Sequence, residues 1–282
     1  MPLSPSSSVQ EARQAIARRL REARLDAGLT GRALAERCGW HPAKTSRLEH
    51  ARAAPSDEDI RSWCAACDAP ELIPDLLAAS RSADSMYVEW KRLHRSGMRR
   101  AQEDLVPLFE RTRHFRVYCS TVVPGLVQTP EYATALLATI SDFQGTPDDS
   151  AEAAQARVER SRVIREGRHR FAILVEEDVL YRNHGGPDVM AGQLGYLLSV
   201  MALPSVSLGV IPRGTPRRMW TIEAFHLFDE HRVQIELLTA KVTITQPSEV
   251  QTYAKAFGRL TKMAVHGAEA RQRIVAALDS VG

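Results

Sequence analysis

The first apolar positions to repeat at helical spacing are Ile16, Leu20, Ala23 and Leu25, with arginines between them, which predicts an amphipathic first helix. Gly28 stops it, as glycine just past a helix end commonly does. Thr30 then caps a second helix, with Leu34, Ala35 and Cys38 facing inward. Ala35 is small enough to let a neighbouring helix approach. Gly39 suits a left-handed reversal, and Trp40 fills the gap between the helices. A third helix opens at once, with His41 as its cap and Pro42 at the first position, where a missing N–H costs nothing. Over residues 42–50, Leu48 and Thr45 face the core and Ala43, Lys44 and Arg47 face the other way. Two short helices at a steep angle let the second project from the body. Ser56, followed by Asp57, Glu58 and Asp59, opens a fourth helix whose inner face is Ile60, Trp63, Cys64 and Cys67. Small polar residues around 80–85 mark a junction.

Beyond Tyr87 the pattern changes. The run 115–121 reads as extended, a helix starts near Pro130, and helical periodicity returns over 155–164. Short apolar runs at 171–177 and 205–212 predict strands on either side of a helix at 187–202. Residues 222–229 and 233–238 read as a hairpin or meander around Glu230-His231, and 248–265 and 268–278 as two closing helices. The expected fold is an all-α N-terminal domain over 9–82 followed by an α+β domain over 87–279 with a small, mostly antiparallel sheet. Residues 1–8 read as a disordered leader without the basic start or apolar stretch of a secretory signal.

The 282 residues suit two domains, and no apolar run reaches the roughly 18–20 residues of a membrane span. Net charge is only +3, but residues 13–52 hold ten Lys/Arg against four acids. That local excess points to an anionic partner. A second basic run, 91–116, has eight Lys/Arg against three acids and reads as more of that footprint, as a contact for an acidic partner, or as a solvated helix face. The four cysteines are too few and scattered for a disulfide framework, which suits the cytoplasm. Cys64 and Cys67 have redox or zinc spacing. Within a helical run and without a second pair, they read as small hydrophobes facing a core.

Residues 29–56 resemble the helix-turn-helix of the XRE/Cro–cI regulators, through Leu34-Ala35-Glu36, Gly39, Arg47-Leu48-Glu49 and Pro55-Ser56. The resemblance implies a lambda-repressor-like fold and a double-stranded DNA partner. It implies DNA contacts from Thr30, Gly31, Arg32, His41, Pro42, Ala43, Lys44, Arg47 and Arg52, and an ion pair between Arg24 and Glu49. Pro42 and Ala43 stand where the family has polar readers, and Gly31 where it usually has glutamine. Hydrogen bonding to bases therefore falls to Lys44 and Arg47, with His41 a third candidate. So small a set discriminates poorly unless a homodimer reads two half-sites. Three further stretches, "VPGLVQTPEYATALL", "GGPDVMAGQLGYLL" and "SEVQTYAKAFGRLTKMAV", resemble the domain behind the helix-turn-helix in WhiJ-type actinobacterial regulators. That resemblance implies control of development or secondary metabolism, and no cofactor or catalytic activity. It also implies a small partner protein encoded nearby, as in toxin–antitoxin-like pairs.

The second domain is accordingly read as supplying oligomerisation, partner binding or a small-molecule switch. Its histidines show no metal or protease spacing. Glu176, Glu177 and Asp178 read as paired carboxylates or as acids capping the next turn. Gly185-Gly186-Pro187 opens a helix as a tight loop or an anion site. Trp90 and Trp220 read as core, rim or pocket lining. No catalytic residue and no metal ligand is expected, which leaves a non-enzymatic regulator as the reading. The alternative is a partner-binding protein whose helix-turn-helix serves autoregulation.

Overall fold

A computed structural model describes residues 5–82 and 87–281. The chain divides into two compact units, Met1–Tyr87 with Thr243–Val250 and Val88–Val242 with Gln251–Gly282. Five helices follow one another in the first: α1 (Pro5–Asp26), α2 (Gly31–Arg37), α3 (Pro42–Glu49), α4 (Asp57–Ala66) and α5 (Ile73–Ser82). Of the leader expected over 1–8, residues 5–8 begin α1, and 1–4 lie outside the described residues. Ile16, Leu20 and Ala23 are buried as their spacing predicts. Leu25, expected with them, is 55% exposed, because Arg24, one turn beyond Leu20, takes the inward position. The core gathers Leu20, Leu34, Leu48, Ile60, Trp63 and Leu76. The Trp63 indole N–H donates to the Leu20 carbonyl at 2.9 Å, so the largest buried ring leaves no polar atom unpaired.

The rest of the chain begins with β1 (Tyr87–Glu89), α6 (Trp90–Leu93), α7 (Arg99–Glu103) and α8 (Val106–Arg111). There follow β2 (His114–Cys119), α9 (Pro130–Gln144), α10 (Ser150–Arg160), β3 (Arg170–Glu176), α11 (Pro187–Val200) and β4 (Val206–Ile211). It closes with β5 (Phe225–Phe228), β6 (Arg232–Glu236), β7 (Ala240–Ile244), α12 (Pro247–Thr261) and α13 (Gly267–Asp279). The class is α+β, as the sequence pattern suggests. The sheet differs from expectation: it has seven strands in the order β1-β7-β6-β5-β2-β3-β4, and it is mixed. β2 pairs in parallel with β3, and β3 with β4, while β2–β5 and β5–β6 are antiparallel. The connections explain this. Helices α9–α10 and α11 carry the chain back to the same end of the sheet, whereas the short turns from β5 to β6 and from β6 to β7 reverse it directly.

The two faces of the sheet separate by residue parity. Phe115, Val117 and Cys119 join Phe171, Ile173 and Val175 in the larger core, where Phe115 stacks on Phe171 at 4.7 Å. Tyr118 and Phe225 lie on the opposite face, where Phe225 meets Tyr253 and Phe257 of α12. Among the described residues no helix is long and apolar enough to cross a membrane.

Candidate nucleic-acid interface

The reversal between α2 and α3 is built from backbone. Gly39 sits at φ +67°, and the Trp40 N–H donates to the Ala35 carbonyl at 2.7 Å. Leu34 and Ala35 are fully buried, and Trp40 tilts onto Trp63 with ring centroids 6.2 Å apart. Both helix starts are capped. The Thr30 hydroxyl accepts from the Ala33 N–H at 3.1 Å, and His41 Nδ1 accepts from the Ala43 N–H at 3.2 Å. In the neutral ring the remaining proton of His41 is therefore on Nε2. Gly31 begins α2 beside α3; a Cβ there would lie 3.8 Å from Thr45 Cγ2, so its small size is not a steric requirement.

Thr45 and Leu48 point α3 into the core at 1% and 3% exposure. Pro42, Ala43, Ser46, Arg47 and His50 are exposed, and Ala43, Ser46, Arg47 and His50 form a single stripe at i, i+3, i+4, i+7. Arg47 makes no ion pair or side-chain hydrogen bond among the described residues. The same holds for Arg32 and Arg52, also exposed. The His50 ring donates from Nδ1 to the Ser46 carbonyl at 2.8 Å. Ser46 and His50 are the surface members that the sequence reading passed over; the four-residue periodicity from Ala43 is the signal that finds them.

Lys44 departs from expectation. It does not stand on the outward stripe beside Arg47. Its Nζ lies 2.5 Å from Asp59 Oδ1 and 4.3 Å from the centroid of the Trp40 ring. The helical wheel explains this: at about 100° per residue, Lys44 falls between Leu48 and Arg47, on the flank turned toward α4. Asp59 is fixed in turn, since it forms a capping box with Ser56 through two 3.1 Å bonds. Burial pushes the Asp59 carboxyl up. The hydrogen bonds from Lys44 and Ser56 outweigh this and leave it below the ordinary carboxylate value.

Arg24 and Glu49 lie together, both side chains 9% exposed. Arg24 Nε donates to Glu49 Oε1 at 2.5 Å and Nη2 to Oε2 at 3.3 Å, and Nη1 reaches the Leu29 carbonyl at 2.5 Å. This fork ties the end of α1 to the end of α3 and so fixes how α3 is presented. Cys64 and Cys67 are buried in the helical core, and desolvation pushes both thiols up to about 11, far from a reactive thiolate.

The other candidates resolve into structure. Glu176 is held by Arg217 at 2.5 and 2.8 Å and by the Tyr118 hydroxyl at 2.8 Å. Glu177 accepts from the Arg213 N–H and from Arg273, and Asp178 pairs with the Arg213 side chain. Each acid thus has its own guanidinium, and the three do not converge. Gly185 and Gly186, at φ +88° and +94°, form a tight loop closed by Asn183, whose side chain accepts the Gly186 N–H. Trp220 is 70% exposed, whereas Trp90 donates its indole N–H to the Leu237 carbonyl at 2.8 Å.

Residues 15–78 match the family described as a helix-turn-helix domain. Residues 102–275, more than half of the chain, match the family described as a domain of unknown function (DUF5753). No curated protein matches the chain. A solved structure of TrmBL2, titled as an archaeal chromatin protein with a novel mode of DNA binding, aligns at 13% identity. The alignment covers 80% of this chain and 71% of that one, with a TM-score of 0.32. At that score the likeness says nothing about fold or function here.

Proposed function

We propose that this chain, which belongs to the DUF5753 family and carries a helix-turn-helix domain ahead of that region, is a sequence-specific DNA-binding transcriptional regulator. The observation that carries the reading is the outward stripe of α3: Ala43, Ser46, Arg47 and His50 exposed, with Arg47 unpaired among the described residues. Arg47 is the residue fitted to take a guanine edge in the major groove, where a bidentate contact contributes about 1–3 kcal/mol of discrimination. Arg32 and Arg52 neutralise phosphates on either side and position the helix. One such domain discriminates weakly, so the protein works as a homodimer on two half-sites about ten base pairs apart. A role in actinobacterial development or secondary metabolism rests on the resemblance of the second domain to WhiJ-type regulators.

The test is selection of bound duplexes from a random-sequence library. Wild type is expected to enrich a motif with two related half-sites. Arg47→Ala is expected to lose that enrichment while melting as wild type does. Recovery of the same motif by Arg47→Ala would sink the reading of α3.

A further inference from the structure

The second unit contains a cavity of about 640 Å³, within the range of sites that enclose a small organic ligand. Its base is one face of the sheet, with Cys119, His226 and Gln234. α8, α9 and α10 wall it, largely with apolar side chains such as Phe109, Leu136 and Ile140. Phe143 and Leu238, 69% and 74% exposed, mark its mouth.

Charged side chains break the apolar lining: Glu236 and Lys241 on the sheet side, and Arg157 and Arg160 on α10. Arg157 and Arg160 are three residues apart at the end of α10 and so share a face. Arg160 is only 7% exposed, and its guanidinium lies 4.4 Å from the Phe109 ring centroid. Neither makes an ion pair among the described residues. Neutral amides hold them instead. Gln102 Oε1 accepts from Arg157 Nε at 3.1 Å and from Arg160 Nη1 at 3.0 Å, and Gln128 Oε1 accepts from Arg157 Nη1 at 2.6 Å. The buried Arg160 Nε has no hydrogen-bond partner among the described residues. Burial, and then the charge of Arg157, pull the Arg160 guanidinium below the ordinary arginine value, with Glu236 acting the other way.

Arg160 is buried and Arg157 partly so, and Glu236, the carboxylate that also lines the cavity, forms an ion pair with neither among the described residues; such a pair of cations is costly in an empty pocket. They match a bound anion, for which fixed, desolvated guanidiniums form the strong class of hydrogen bond. The geometry points to a binding site for an amphipathic organic acid. Its carboxylate would lie between Arg157 and Arg160, and its apolar body would run along Phe109, Leu136 and Ile140 toward the mouth. This goes beyond the DNA-binding reading and holds whether or not the chain binds DNA.

The test uses the full chain with three probes of equal chain length: decanoate, decan-1-ol and decyltrimethylammonium, titrated by calorimetry with melting as a second readout. Decanoate is expected to bind at least 30-fold tighter than the alcohol, and the cation not at all. Arg160→Gln, and separately the less buried Arg157→Gln, are expected to bind decanoate no better than the alcohol. Both variants should melt at or above the wild-type temperature, since each removes a desolvated cation that has no ion-pair partner among the described residues. Equal binding of acid and alcohol would overturn the site, as would no binding of any probe. Variants that bind decanoate like wild type would do the same. A fall in melting temperature in both variants would make the pair structural and also overturn it.

Discussion

Replacing Asp59 by Asn should release a cation that the fold holds back. Lys44 is kept from the outward stripe by an ion pair at 2.5 Å and by the Trp40 ring at 4.3 Å. The pair is partly exposed, at 36% and 15%, so its worth is the ~0.2–1 kcal/mol of a surface salt bridge. The ring adds ~0.5–1 kcal/mol. Together these hold Lys44 in place by a factor of about 3–30. On a random-sequence duplex, where Arg47 has no fixed guanine edge to read and lies against phosphate with Arg32 and Arg52, each domain gives a slope of log K against log salt of about −2.7, at about −0.9 per phosphate. Lys44→Ala should leave that slope unchanged. Asp59→Asn keeps an oxygen for the Ser56 N–H but frees the ammonium, and should steepen the slope to about −3.6. Arg47→Ala should flatten it to about −1.8. Fluorescence anisotropy on a short random-sequence duplex over a salt series measures all three. If Lys44→Ala flattens the slope by about one contact, Lys44 leaves Asp59 on binding and the assignment made from its free-state geometry fails.

Glu49→Ala leaves Arg24 buried without its carboxylate and should cost about 3–5 kcal/mol, lowering the melting temperature of the helical unit by more than ~10 °C. The paired change Arg24→Met with Glu49→Leu should recover most of that loss, as a double-mutant cycle by calorimetry would show. Thr45→Val should stabilise the same unit by roughly 1 kcal/mol in denaturant titration, because the buried Thr45 hydroxyl has no partner among the described residues. In the second unit, burial lowers His226 to about 4 from 6.5, with Arg160 and Arg157 reinforcing the shift and Glu236 opposing it. The unfolded chain therefore takes up a proton first as pH falls. Stability is intact above about pH 6.5 and is lost between there and pH 4, by up to about 3 kcal/mol. His226→Asn should remove that part of the acid dependence.

Much of the first unit was legible because its signals are local. The caps at Thr30, His41 and Ser56, the reversal at Gly39 and the inward pair Thr45 and Leu48 all follow from residue type and the 3.6-residue period. Lys44 was not legible, since its partner lies on the next helix and the wheel places it on a border. Periodicity alone put Leu25 rather than Arg24 inward; the pairing of Arg24 with Glu49 came only from the family resemblance, because an arginine can occupy a core-facing position only where a distant carboxylate receives it. In the second unit the apolar runs marked β2, β3 and β4 as strands but carried no information on direction. That depends on where the intervening helices return the chain. β1 and β7 are too short and too mixed in composition to stand out from loop. Arg157 and Arg160 fall in the helical periodicity of 155–164, which says nothing of their surroundings; only the packing around α10 makes them part of a cavity wall.

The position of β2 also governs the order in which the chain can assemble. Phe115 pairs on one side with Phe171 and on the other with Phe228, more than a hundred residues further along. During synthesis the early helices, whose contacts are mostly short in sequence, can settle while the ribosome is still far from finished. The middle of the sheet cannot, and β2 must wait with one edge open until the hairpin emerges. That interval is when this chain is most open to wrong edge-to-edge pairing, and a nascent chain arrested before residue 225 is the species in which to look for a bound chaperone.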